Sequence, residues 1–186
     1  MPLQLEFIIL SKMGFSKGFN VQLATLFGIG KIPGGGTWAS LVVLLIALYE
    51  QNAETASFLA FFTLIIGPNA YRKLTALVDS EDPKEYVLDE VVGMGIAISG
   101  VYIFTKLFDQ FSFNFIEPLS STDELFIFTF VVFRFFDISK IGPVGWVENN
   151  TNEKAYNRVI GDDIMAALMS IIIVIIFLSV NLWILQ

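Results

Sequence analysis

The strongest constraint on this chain is its last apolar run, Ile164 to Leu185, 22 residues without a charged side chain. At 1.5 Å per residue such a run makes a helix about 33 Å long, enough to cross a hydrocarbon core about 30 Å thick. Four other apolar runs precede it: Trp38 to Tyr49, Ala56 to Gly67, Val91 to Phe108 and Leu125 to Phe136. The third of the five, at 18 residues, also has the length of a span. The three 12-residue runs cover only about 18 Å each and must either borrow flanking Thr, Ser, Gly and Arg residues or lie as re-entrant segments inside a bundle. A chain of 186 residues that is 55% hydrophobic with 19 Phe is too apolar for an ordinary soluble domain. The expected fold is therefore all-α: a polytopic transmembrane helical bundle of about five spans with short helices. No linker, low-complexity tract or repeat divides residues 1–186, so one domain is expected. Residues 15–30 read as a partly apolar interfacial segment ending at Gly28-Ile29-Gly30. The N-terminus lacks the basic region, long apolar stretch and small-residue cleavage site of a cleaved signal peptide.

Positive charge orients the runs, because cytoplasmic loops carry an excess of Lys and Arg. If each run crosses once, one side receives Lys12, Lys17, Lys31, Arg72, Lys73, Lys84, Lys140, Lys154 and Arg158, with Arg134 near the end of its helix. The other side receives Lys106 at most, and its loops, Glu50 to Thr55 and Asp109 to Glu124, hold acids. Five spans with the N-terminus inside follow, and every polar cluster of interest then falls on the cytoplasmic face.

Composition removes several chemistries. The chain has no cysteine and no histidine, which excludes thiolate metal sites, cysteine nucleophiles, Ser/His/Asp catalysis and His-ligated transition metals. A net charge of -7 argues against nucleic acid as a partner. What remains is carboxylate chemistry. Asp89 and Glu90 precede the third apolar run, and Asp162 and Asp163 precede the fifth. Either pair alone is explained by acids in a first helical turn, which favour the helix dipole. Two pairs on one face, joined by Asp137 three residues after Arg134, are better explained by a site, since ionisable groups at membrane depth normally face a cavity or a bundle interior. Acids without His or Cys are hard oxygen ligands suited to Mg²⁺. Neighbouring residues on a helix point about 100° apart, so one member of each pair is expected to reach a metal directly. The glycines Gly34, Gly35 and Gly36 before Thr37 permit close backbone approach at a helix N-terminus, without the Gly-Lys-Ser/Thr ending of a Walker loop. With Arg134, Lys140 and Lys31 supplying cations, phosphoryl chemistry is the economical reading.

Four segments in order carry a resemblance. The loop residues Gly28, Gly30, Pro33, Gly36, Thr37 and Ser40, the segment Asp89, Glu90, Gly93 and Met94, the segment Phe133, Arg134, Asp137 and Lys140, and the residues Asp162, Asp163 and Ala166 resemble those of the phosphatidylglycerophosphatase A family. They extend over about three quarters of the chain. Ala39 and Ala167 stand where glycines are usual, and Ile141 where a proline follows the lysine, but every charged position is kept. The resemblance implies a Mg²⁺-dependent membrane enzyme that dephosphorylates phosphatidylglycerophosphate to phosphatidylglycerol. It implies a multi-pass protein of the cell inner membrane with its site facing the cytoplasm and a phospholipid substrate held in the bilayer.

The expected mechanism has Mg²⁺ held by Asp89 or Glu90 together with Asp162 or Asp163. Arg134 and Lys140, with Gly36 and Thr37 of the loop, bind the phosphate, and a remaining carboxylate, Asp137 or the second member of a pair, orients or deprotonates water. An aspartyl-phosphate intermediate is the chemical alternative. A histidine-nucleophile lipid phosphatase is excluded by composition, and the CDP-alcohol transferase pattern is absent. The competing classes are a cation transporter or channel, which should carry its acids in helix middles, and a non-catalytic, degenerate member of the family.

Overall fold

The computed structural model describes residues 15–78, 80–109, 121–149 and 154–185, and every regular element among them is helical. Lys12 and residues 110–120 of the acidic loop lie outside the described residues. Helix α1, Phe15–Ala24, is followed by a 3-10 turn, Leu26–Lys31, so the segment read as interfacial is helical and breaks at Gly28. Five long helices follow: α2 (Gly35–Glu50), α3 (Glu54–Val78), α4 (Leu88–Asp109), α5 (Thr122–Ser139) and, after the short α6 (Pro143–Glu148), α7 (Ala155–Leu185).

Each 12-residue apolar run lies inside a longer helix, of 16 residues in α2, 25 in α3 and 18 in α5. The run that ends at Gly67 does not end its helix, which continues through Pro68 to Val78. Successive long helices alternate in direction. The C-terminal end of α2 meets the N-terminal end of α5 where Gln51 donates to Asp123, and Ser57 near the start of α3 donates to Ser99 of α4 at 2.7 Å. At the opposite end of the bundle lie the starts of α2 and α4 and the end of α5.

Helix α4 occupies the centre, in contact with α2, α3, α5 and α7. Lipid tails are as apolar as leucine, so helices in a bilayer associate through close packing, which small residues permit. A Cβ added at Gly95 would stand 2.7 Å from the Ala56 carbonyl of α3, and one at Gly93 would stand 2.8 Å from the Phe133 ring of α5 and 3.0 Å from the Asp163 carbonyl of α7. Around these contacts Met94, Ile98, Val101, Phe126, Phe133 and Val174 are fully buried. The outer faces are apolar too: Phe58, Phe61 and Ile65 on α3, Ile127 and Val131 on α5, and Ile172 and Ile176 on α7 are exposed. Among the described residues, two helices, Leu88–Phe108 and Ala155–Val180, are long and apolar enough to cross a membrane.

One expectation is corrected here. Asp162 and Asp163 do not sit in a first helical turn, because α7 begins at Ala155, about two turns earlier. The apolar run marks where the chain leaves polar surroundings, but the helix itself starts sooner, since Val159, Ile160 and Gly161 contain no breaker strong enough to stop it. Gly161 suits the interior of this helix because α6 lies against it, with the Val147 side chain 2.9 Å from where its Cβ would be. Capping and dipole stabilisation act only within the first turn, so neither accounts for this acidic pair.

Candidate active site

The first wall of the site is the start of α2. Gly34 caps that helix in the left-handed region (φ 73, ψ 28), a conformation that carries a steric cost for residues with a Cβ. At Gly36 a Cβ would overlap the Glu90 carboxylate. This glycine therefore lets an acid of α4 lie against the N-terminal turn of α2, where backbone N–H groups favour negative charge. Ser40, one turn on, is within hydrogen-bond reach of the Gly36 carbonyl at 2.9 Å and of Glu90 Oε2 at 3.3 Å.

Arg134 and Asp137 come from the last turns of α5, spaced so that both face the same way. The Arg134 guanidinium pairs with Glu90 and, at 2.6 Å, with Asp137 Oδ2. Its other contacts run to α2, donating to Thr37 Oγ1 at 3.1 Å and to Ser40 Oγ at 3.3 Å. A planar fork with this many acceptors is held in one orientation, which lysine would not achieve. Lys140 follows at the C-cap of α5, itself in the left-handed region (φ 49), and its Nζ bridges Asp137 Oδ1 at 3.1 Å and Asp162 Oδ2 at 2.6 Å. Burial pulls the Lys140 ammonium down, but the carboxylates of Asp137, Asp162 and Asp163 outweigh it and raise its pKa above the ordinary lysine value.

Three carboxylates from three helices, Glu90 of α4, Asp137 of α5 and Asp163 of α7, bring one oxygen each to within 4.8 Å of one another. The first-turn acid Asp89 and the α7 acid Asp162 stand beside this group, and each accepts the backbone N–H of its successor at 3.0 Å. Asp89, Asp137, Asp162 and Asp163 are buried. With Glu90 they set five carboxylates against the two cations Arg134 and Lys140, a formal excess of three negative charges. Buried charge without a partner is costly, and Asp163 Oδ1 is buried with no hydrogen-bond partner. An orphaned carboxylate oxygen beside two other carboxylates, with no nitrogen or sulfur donor in the group, fits a hard divalent cation. The cluster opens into a cleft of about 470 Å³ whose inner lining includes Asp89, Glu90, Asp137, Lys140, Asp162 and Asp163.

Asp89, Glu90, Asp137, Asp162, Asp163, Arg134, Lys140, Gly36 and Thr37 meet at this end of the bundle, whereas Lys31, the third cation expected from the sequence, is not among the residues that line the cleft. The metal-capable group takes one acid from each expected pair, Glu90 and Asp163, and adds Asp137, expected from the sequence as one of the candidates to orient water and not as a metal ligand. Gly36 and Thr37 contact Glu90 and Arg134 of the chain itself. Ser40 received no role in the sequence reading although its hydroxyl joins Glu90 to Arg134, and its position one turn after Gly36 was the available signal. Lys84, Tyr86 and Arg158 also line the cleft. Of these, only Arg158 carried a readable cue, four residues before Asp162 and hence on the same helix face.

No curated protein and no solved structure matches the chain. Residues 22–178 match the family described as phosphatidylglycerophosphatase A, a stretch that contains the glycine loop, the acids of α4 and α7 and the Arg134–Lys140 segment. With most of its length matched, and all of its clustered charges within the match, the chain belongs to the phosphatidylglycerophosphatase A family.

Proposed function

We propose that this protein hydrolyses the terminal phosphomonoester of phosphatidylglycerophosphate, giving phosphatidylglycerol and phosphate, and that the reaction depends on Mg²⁺. The family supplies the activity, and the observation that carries the metal dependence is the meeting of Glu90, Asp137 and Asp163 around the unpartnered Asp163 oxygen. When bound, such a cation neutralises charge on a phosphate and acidifies water. The protein's own groups do the rest. Arg134, fixed by Thr37, Ser40, Glu90 and Asp137, presents a preorganised positive charge to the phosphoryl oxygens, and Lys140 adds a second that stays protonated across the physiological range. In this reading Asp89 or Asp162, both of which stand outside the metal-capable group, takes the proton of the attacking water as its oxygen bonds to phosphorus. The bond to the glycerol oxygen breaks with its electron pair on oxygen, and that oxygen takes up the proton that the carboxylate accepted from water and leaves as the alcohol of phosphatidylglycerol.

The whole chain acts as one catalytic domain in this reading, embedded in the cell inner membrane with five spans, α2, α3, α4, α5 and α7. Alternating helix direction and apolar outer faces support it. Helix α7 has 31 residues, about 46 Å, so a bilayer-spanning portion from Ile164 leaves about two turns, with Arg158 and Asp162, at the cytoplasmic surface. The site then lies at headgroup depth while the acyl chains remain in the bilayer. Purified protein in detergent should release phosphate from phosphatidylglycerophosphate with Mg²⁺ present and lose turnover in EDTA. Undiminished turnover after thorough chelation would eliminate the metal-assisted reaction, and no turnover with any divalent cation would eliminate the enzyme reading.

A further inference from the structure

The cleft is lined by Glu90, Asp137 and Lys140 but not by Arg134, and yet the Arg134 side chain keeps 12% exposure. Its exposed edge therefore opens somewhere else. The inner nitrogen, Nη1, meets Glu90, Asp137 and Ser40. The outer one, Nη2, donates to the hydroxyl of the exposed Thr37. Among the described residues Thr37 is the one hydrogen-bond partner of Nη2, a nitrogen with two hydrogens, so one N–H remains for an incoming oxygen. Helix geometry fixes where this N–H emerges. At about 100° per residue, Val131 and Ile138 lie beside Arg134 toward the outer face of α5, and Asp137 lies on its inner side. Trp38 and Leu45 stand likewise outside Thr37 on α2, with Ser40 inside. Burial agrees: Val131, Ile138, Trp38 and Leu45 are exposed, whereas Asp137 and Ser40 are buried.

The seam between α2 and α5 is thus a polar gap, Arg134 with Thr37, bordered by two apolar stripes that face outward. In the orientation proposed above, the stripes face acyl chains and the gap lies at headgroup depth, by the first turn of α2. A free phosphate matches the gap but not its border, and a lipid tail matches the border but not the gap. A phosphomonoester joined to acyl chains matches both, with its oxygens at a cation and its chains beside Trp38 and Ile138. Resting on the functional reading above, we infer that the phospholipid substrate enters sideways from the bilayer through the seam between α2 and α5. Its phosphate meets Arg134 Nη2 first. Asp137 bridges Arg134 and Lys140, so a phosphate arriving at the seam lies one carboxylate away from the cation that lines the cleft. The cleft is left to water and to the released phosphate.

The test obstructs each opening in turn in the full chain, which has no cysteine of its own. A bulky maleimide is attached to Ile138→Cys on the seam or to Glu148→Cys at the exposed mouth of the cleft. Each unlabelled variant is the control for its labelled form, and Trp38→Cys repeats the seam test from α2. Two quantities are measured in detergent with Mg²⁺: kcat/KM for phosphatidylglycerophosphate, followed as phosphatidylglycerol formed, and the inhibition constant of inorganic phosphate. Labels at Ile138 and Trp38 should lower kcat/KM about tenfold or more and leave the phosphate constant within about twofold, because the route closes while the site stays intact. The label at Glu148 should leave kcat/KM within about twofold. The inference is overturned if the seam labels leave kcat/KM unchanged, or if the Glu148 label lowers it as much as they do. It is equally overturned if the seam labels weaken inorganic phosphate in proportion to the loss of kcat/KM, since the site itself would then be disturbed. A wild-type protein that releases no phosphate from phosphatidylglycerophosphate would instead remove the functional reading on which the inference rests.

Discussion

At the scale of single residues, the site is a problem of excess negative charge solved by geometry. Arg134 and Lys140 each bridge carboxylates from different helices, yet Asp163 Oδ1 still has no partner. A neutral isostere there should ease the apo protein while destroying its affinity for cation. In a thermal melt in detergent, Mg²⁺ at about a hundred times its Kd should stabilise the wild type by about 2.7 kcal/mol, a rise of roughly 5–10 °C. Asp163→Asn should melt no lower than wild type without metal and show no Mg²⁺-induced rise. A full rise in that variant would remove Asp163 from the metal group. Gly36→Ala should give a weaker version of the same result, because the added Cβ displaces the Glu90 carboxylate from its place against α2. The displaced atoms belong to the far end of a flexible side chain, so the loss should show in metal response and turnover more than in stability.

At the scale of elements, the distance between α4 and α7 decides whether Glu90 and Asp163 can share a cation. That distance is set at Gly93, where the missing Cβ admits both the Phe133 ring and the Asp163 carbonyl. Because one of those neighbours is backbone, it cannot swing aside. Gly93→Val should push the helices apart, lowering stability by about 1–3 kcal/mol in denaturant titrations. It should also reduce turnover more than the stability loss explains, since the carboxylates separate. Normal turnover at temperatures where the variant stays folded would show that the helix spacing is not critical for the site.

At the scale of the whole molecule, alternating helices bring residues from positions 36 to 163 to one end of the bundle. That convergence requires the loop before α4 and the stretch before α7 to lie on the same side of the membrane. A chain without cysteine allows single-cysteine probes. Cysteines at Asn20 and Ser80 should be labelled by a membrane-impermeant thiol reagent only after the cytoplasmic face is opened, and those at Asn52 and Ser121 from outside in intact cells. Labelling of Asn52 from the cytoplasm would make α2 and α3 a re-entrant hairpin and leave three spans. Labelling of Ser80 from outside would set Asp89 apart from the cytoplasmic face and contradict the proposed orientation.

The sequence by itself determined the helical class, the apolar character and the chemical type of the site, because run length, the absence of His and Cys and the placement of acids are local properties of the chain. It also named the residues that meet, through four segments that keep their order. The helix ends were less legible: α3 runs on through Gly67 and Pro68, and α7 begins two turns before its acids, because a helix continues wherever its neighbours support it. Which acids form the metal-capable group was decided only in three dimensions. Adjacent carboxylates such as Asp89 and Glu90 are alike in sequence, and only the rotation of α4 against α5 and α7 turns Glu90, Asp137 and Asp163 toward one point while Asp89 and Asp162 are left beside it. That rotation follows from small residues such as Gly93 and Gly95 fitting against particular neighbours, contacts between residues far apart in the chain that no local pattern records.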